Sequence, residues 1–138
     1  MRIYVKKVMT KKQTLKSDVH FGKRERYIQP SILLGLMRKP SYGYELIQSI
    51  QEYGFVKGQA PPGMIYRHLR QLEDDGLVVS EWKTEGSGPA KRMYSLTGEG
   101  VEMLSLWIGY MQQQAENLLR FVDIFHQSVD VERSGEQK

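Results

Sequence analysis

Apolar positions change their period several times along this chain, and each change marks an element. Ile32, Leu33, Leu34, Leu36 and Met37 crowd together after Pro30. Pro30 fits a first helical position, where a missing N–H costs nothing, and a run that is apolar on nearly every side predicts a buried helix. Arg38-Lys39-Pro40 ends it. Ser41 is the expected N-cap of a second helix, with Tyr44, Leu46, Ile47 and Ile50 facing inward and Gly54 in the left-handed position past its end. After a connector over 55–60, Pro61 and Pro62 open a third helix. Its Ile65, Leu69 and Leu72 recur at helical spacing and define one buried stripe. Met64, Tyr66, Arg67, Arg70, Gln71 and Asp74 occupy the outer face, and Gly76 closes the helix.

At Leu77 the period shortens. Leu77–Lys83 is rich in β-branched and aromatic residues, Thr84–Ala90 holds Gly86, Gly88 and Pro89, and Lys91–Leu96 alternates with Tyr94 and Leu96 on one face. The pattern predicts a β-hairpin beside the third helix. Short helices with brief connections, followed by a hairpin, predict a winged helix-turn-helix over residues 28–97. The fold class is mainly α with a small β-hairpin, plus a long C-terminal helix.

Thr97 is the expected cap of that helix. Val101, Leu104, Ile108, Met111, Ala115, Leu118, Val122 and Phe125 keep the alternating spacing of a heptad stripe over 98–128. A helix of about 28 residues would be about 42 Å long. A second stripe runs beside the first through Met103, Trp107, Tyr110, Phe121 and Ile124, interrupted by Gln114 and Asn117. One stripe is expected to serve the subunit's own core and the other to meet a second copy. Leu104, Ile108, Met111, Ala115, Leu118, Val122 and Phe125 are thus the expected dimerisation residues of a homodimer. Residues 129–138 read as a polar tail.

Charge adds an asymmetry that periodicity does not show. The net charge is +4, yet residues 1–27 alone hold nine basic and two acidic residues, leaving 11 basic and 14 acidic residues in a mildly acidic body. The arm reads as flexible and suited to phosphate attraction by counterion release. Met9 is an alternative start that would remove part of it. The chain has no cysteine, which excludes a disulfide scaffold, a thiolate nucleophile and a cysteine zinc site. No apolar run reaches the roughly 20 residues of a membrane span, and no apolar run follows the basic N-terminus as in a signal peptide. A cytoplasmic protein is expected.

Candidate chemistry points to binding rather than catalysis. His20, His68 and His126 are scattered and form no metal-ligand pair, and no serine sits in a nucleophile elbow. No enzyme, metal or cofactor is expected, and His68 reads as a helix-packing residue. Arg67 and Arg70 on the third helix can pair with guanine or hold phosphates. Residues near a recognition helix's start enter the groove deepest, which brings Pro62, Gly63, Met64 and Tyr66 into the candidate surface. Lys83, Lys91 and Arg92 flank the hairpin tip and suit backbone contacts; Ser41 and Tyr42, at the start of the second helix, complete the set. Trp82 reads as core or interface, and Glu73-Asp74-Asp75 as a solvated helix end turned away from DNA.

The segments PSYGYELI (Pro40–Ile47), GMIYRHLRQLEDDGLV (Gly63–Val78) and GPAKRMYSLTGEG (Gly88–Gly100) together resemble the PadR family of bacterial transcriptional regulators, over roughly Ile28–Gly100. The resemblance implies a winged helix-turn-helix dimer on a two-fold symmetric operator in double-stranded DNA, usually as a repressor. It implies that Tyr66 and its neighbours face DNA and that the wing around Lys91 and Arg92 touches the backbone. The C-terminal helix is similar to that of a short-tailed subgroup which dimerises through it and the first helix. Many relatives carry Thr-Leu-Tyr-Pro where this chain has Met64-Ile65-Tyr66-Arg67, a departure that puts base preference in question. Family members often respond to small aromatic molecules or stress signals, which makes Trp107 and Tyr110 the candidate effector contacts. The alternative reading is a winged-helix module whose third helix meets protein instead of DNA.

Overall fold

In the computed structural model, residues 26–56, 60–84 and 86–136 are described; the basic arm up to residue 25, with the weak strand expected around Ile3, Val5 and Val8, lies outside them. The elements in chain order are α1 (Ile28–Arg38), β1 (Ser41–Tyr42), α2 (Gly43–Ser49), α3 (Pro62–Asp74), β2 (Val78–Lys83), β3 (Lys91–Leu96) and α4 (Gly98–Glu136). The chain divides into a winged unit ending at Ser105 and a second unit beginning at Leu106.

The core of the winged unit is built from the stripes that the sequence predicts. Ile28, Ile32 and Leu33 of α1, Leu46 of α2, and Ile65, Leu69 and Leu72 of α3 are fully buried. Helix α1 begins two residues before Pro30, so the proline lies inside the first turn instead of opening it. N–H groups of a first turn have no intrahelical acceptor, which is why it is tolerated there. Met37 departs from the expected burial and is exposed. His68 joins α3 to α1, its Nδ1 lying 3.3 Å from Gln29 Nε2.

Ser41 is not the cap of α2. Its hydroxyl donates to the Lys39 carbonyl at 2.9 Å, and its backbone lies in β1, where Ser41 pairs with Tyr94 and Tyr42 with Met93. The N-cap position falls to Tyr42, whose backbone N–H donates to the Glu45 carboxylate at 2.9 Å. Serine's preference for caps lost here to an available strand edge. Helix α2 continues into a 3-10 turn, Ile50–Tyr53, that ends at Gly54 with φ 79°.

Helix α3 stops by a Schellman motif. The Leu77 N–H donates to the Leu72 carbonyl at 2.9 Å and the Gly76 N–H to the Glu73 carbonyl at 3.0 Å, with Gly76 at φ 76°. Leu72 and Leu77 are both buried, the apolar contact that accompanies this motif. The chain leaves directly into β2.

The sheet is antiparallel with order β1-β3-β2. Its register sets Val78 opposite Leu96, Ser80 opposite Tyr94 and Trp82 opposite Arg92. Side chains alternate across a pleated strand, so these six residues share one face. Val78 and Tyr94 are buried at its inner end.

Thr97 caps α4 as expected. Its Oγ1 accepts from the Gly100 N–H at 3.0 Å and donates to the carbonyls of Gly76 and Leu77 at 2.8 and 3.0 Å. Gly100 sits so close to the Leu77 carbonyl that a Cβ there would collide with backbone. Met103 and Leu104, in the turn that follows, are buried.

The second unit is the remainder of α4. The helix has 39 residues and runs to Glu136, well past the Ser128 boundary read from the stripe. Val129 and Val131 carry on beyond the heptad, and no breaker interrupts before Gly135. Trp107 is only 5% exposed, with the ring of Tyr110 edge-on at 6.0 Å. Further along, Leu118, Leu119, Phe121, Val122, Ile124 and Phe125 are all exposed. Among the described residues, no helix is long and apolar enough to cross a membrane.

Candidate nucleic-acid interface

A cleft of about 490 Å³ lies where α3, the start of α2 and the hairpin converge, lined by Tyr42, Gly43, Tyr44, Tyr66, Arg70, Glu73, Trp82, Lys91, Arg92 and Tyr94. Tyr66, Arg70 and Glu73 come from successive turns of α3, at spacings that place them on one helix face. Trp82, Arg92 and Tyr94 come from the shared face of the hairpin. Tyr42 and Tyr44 flank Gly43, over which the Tyr66 ring lies so closely that any Cβ would strike it.

Two of the cleft's cations, Lys91 and Arg92, rest on aromatic rings. Lys91 Nζ is 5.1 Å from the Tyr44 ring centre and 6.0 Å from that of Tyr42, and these two rings are stacked 5.8 Å apart. The Arg92 guanidinium lies 5.4 Å from the Trp82 ring centre. Contacts of this kind hold a long side chain in place while leaving its charge open to an anion. Lys83 stands directly opposite Lys91 in the strand register. Like charges at opposed positions cost stability; Glu81 relieves part of this by pairing with Lys83 at 3.1 Å. Burial pushes the Tyr94 hydroxyl above its ordinary pKa, so this group at the cleft floor stays a neutral phenol.

Helix α3 presents its N-terminus beside the cleft. Pro62 and Gly63 are exposed, the first turn contains no acid, and a Cβ on Gly63 would meet open space. No acid in its own first turn offsets the positive end of the helix dipole, which favours a phosphate. Arg67 shares the exposed side of α3 but does not line the cleft, and Met64 is half-buried.

The structure thus gathers Tyr42, Tyr66, Arg70, Lys91 and Arg92 from the sequence-predicted set. It leaves Ser41 outside, buried at the edge of a second hollow of about 520 Å³ whose charges are internally paired, Arg38 with Glu52 at 3.1 Å and Lys39 with Glu45 at 3.5 Å. Neither hollow is lined by Trp107 or Tyr110. Sequence reasoning missed five members of the cleft, Gly43, Tyr44, Glu73, Trp82 and Tyr94, and placed three of them elsewhere. Tyr44, expected inward, is 47% exposed, and Trp82, expected in a core or interface, is 66% exposed. Glu73, expected in a solvated turn away from DNA, accepts a hydrogen bond from Ser80 Oγ at 2.7 Å and faces Arg92 Nη2 at 3.9 Å. The alternation Trp82-Ser80 against Arg92-Tyr94 was the signal that could have placed Trp82. Among the described residues, no group of His, Asp and Glu is arranged to hold a metal ion.

Comparison with known proteins gives a concordant picture. The model of the transcriptional regulator PadR-like family matches residues 32–106. The negative transcriptional regulator PadR of Bacillus subtilis (strain 168) is 31% identical over 77 residues, spanning 55% of this chain and 42% of that protein. The match thus covers less than half the length of that curated relative. A PadR family transcription regulator from Clostridium difficile R20291 superposes with a TM-score of 0.61 at 27% identity, covering 70% of this chain and 98% of the other. Bacillus subtilis PadR in complex with operator DNA superposes with a TM-score of 0.54 at 27% identity, covering 61% of this chain and 48% of the other.

Proposed function

The chain belongs to the PadR-like family of transcriptional regulators, and from that premise we propose that it binds operator DNA through the α3–hairpin cleft. The observation that carries this reading is the convergence of Arg70, Lys91 and Arg92 with four tyrosines on the concave face between recognition helix and wing. A duplex backbone is a row of phosphates beside a groove. A helix entering the major groove with a hairpin next to it leaves one stretch of backbone between them. The cleft presents charge and hydroxyl donors, Tyr66 among them, where that backbone would run, while Arg67 and the exposed start of α3 at Gly63 face the base edges.

The same proposal includes a homodimer. The exposed apolar residues from Ile108 to Phe125 form a surface that a monomer would leave in water, and patches of this kind mark protein contacts. Two copies present two recognition helices, which suits an operator of two-fold symmetry with half-sites about one helical turn apart. Repression, with release by a small molecule or stress signal, completes the reading. Trp107 and Tyr110 are its candidate effector contacts, and an aromatic ligand there would have to displace the existing edge-to-face packing.

Sequencing the genomic fragments that the purified protein retains tests the reading. The expected result is a shared inverted repeat, which Arg67→Ala with Arg70→Ala no longer enriches. Fragments without any common sequence, or a repeat retained equally by the double variant, would overturn the assignment of α3 as the reader.

A further inference from the structure

Glu73 is the acid in a cleft otherwise lined by cations, aromatic side chains and Gly43. If phosphates enter this cleft, a carboxylate there weakens binding, so its presence needs a separate reason. The hydrogen bonds supply one. Glu73 Oε2 accepts from Ser80 of β2 at 2.7 Å, while Oε1 faces Arg92 of β3 at 3.9 Å. Ser80 and Arg92 share the hairpin face that looks onto α3. One side chain of the recognition helix therefore touches both strands of the wing.

The two contacts differ in kind. The Ser80 bond is short and closed. The Arg92 pair is at the outer limit for an ion pair and too long for a hydrogen bond. Arg92 is thus drawn toward α3 without being consumed, and its guanidinium also lies 5.4 Å from the Trp82 ring centre. A phosphate offering bidentate geometry at shorter range can take this guanidinium from Glu73.

We propose that Glu73 is a positioning residue for DNA discrimination, acting through Arg92. The proposal rests on the DNA-binding reading above. Glu73 keeps Arg92 directed into the cleft, so the guanidinium meets a phosphate when α3 is seated in its groove and the backbone enters the cleft. On a duplex where α3 is not seated, Arg92 stays with Glu73 and adds nothing to affinity. The acid lowers binding to unrelated sequence more than binding to the operator.

The test compares the wild-type chain with Glu73→Gln on two duplexes of equal length, one carrying the retained genomic site and one scrambled, over a salt series. The glutamine amide oxygen still accepts from Ser80, so the tie between α3 and β2 is kept. The expected result is a several-fold gain of affinity for the scrambled duplex, with a salt slope steeper by about 0.9 from one added phosphate contact. Affinity for the genomic site changes less, so discrimination falls. In an Arg92→Gln background the same Glu73 change should leave the slope on scrambled duplex untouched. An unchanged slope in Glu73→Gln, an equal loss on both duplexes with a lowered melting temperature, or a gain that persists without Arg92 would each overturn the proposal. A wild-type chain that binds neither duplex would overturn the DNA reading itself, and this inference with it.

Discussion

Leu69 and Leu118 are the same side chain on two helices of one chain, and they stand in opposite surroundings. Leu69 of α3 is 0% exposed, closed in with Ile65 and Leu72 in the core of the winged unit; Leu118 of α4 is 68% exposed, beside Phe121 at 75%. Both belong to regular apolar stripes. Periodicity tells which residues share a face, and it is silent about what covers that face. In the winged unit the chain supplies its own cover. In the second unit the stripe is exposed, and we propose that a second copy covers it.

The largest expected effect tests this contrast directly. Leu69→Ala should lower unfolding free energy by about 2–5 kcal/mol, the range for a buried leucine truncated in a packed core. Leu118→Ala should leave the stability of the dilute chain nearly unchanged and weaken self-association. Thermal melts at low and high protein concentration, with sedimentation equilibrium, read both. The contrast breaks if Leu118→Ala lowers the melting temperature as much as Leu69→Ala at every concentration.

A smaller effect sharpens the same comparison with glycines on α4. A methyl group at Gly100 would collide with the Leu77 backbone carbonyl, whereas at Gly109 it would meet nothing within 4 Å. Gly100→Ala should destabilise by about 1–3 kcal/mol, as overpacking against a fixed backbone does. Gly109→Ala should stabilise by roughly 0.5–1 kcal/mol, because a mid-helix glycine gives up more freedom than alanine. Chemical denaturation of the two variants checks the opposite signs.

The smallest effect appears in alkali. Burial raises the Tyr94 pKa in the folded state above its ordinary value of 10.0. A raised folded pKa means that the stability contribution is intact below the unfolded pKa and is lost as pH rises through the folded one. Stability should therefore fall above about pH 10, and Tyr94→Phe should flatten that fall. An identical pH profile in the variant would remove Tyr94 from the explanation.

Much of the fold was legible in the sequence because its signals are local. The Pro61-Pro62 start, the Gly76 stop, the Tyr94–Leu96 alternation and the Thr97 cap each depend on a few neighbouring residues, and the structure shows each where it was expected. Ser41 was misread because cap and strand compete for the same residue, and β3, about fifty positions away, decides the outcome. Half of the candidate cleft's lining was legible. Arg70, Lys91 and Arg92 were readable as cations near a recognition helix and a hairpin tip. Tyr44, Trp82 and Glu73 were not, since their roles exist only where α2, α3 and the hairpin converge. Glu73 is the plainest case: in the sequence it is one of three adjacent acids, and in the fold it faces Arg92 across the cleft.

The central claim is that this cleft holds a DNA backbone. The salt dependence of duplex affinity tests it most directly, measured on the wild-type chain and on Arg70→Ala and Lys91→Ala variants. The account predicts that log affinity falls linearly with log salt, and that each variant makes the slope shallower by about 0.9. Affinity that does not vary with salt, or variants whose slopes match the wild type, would contradict it.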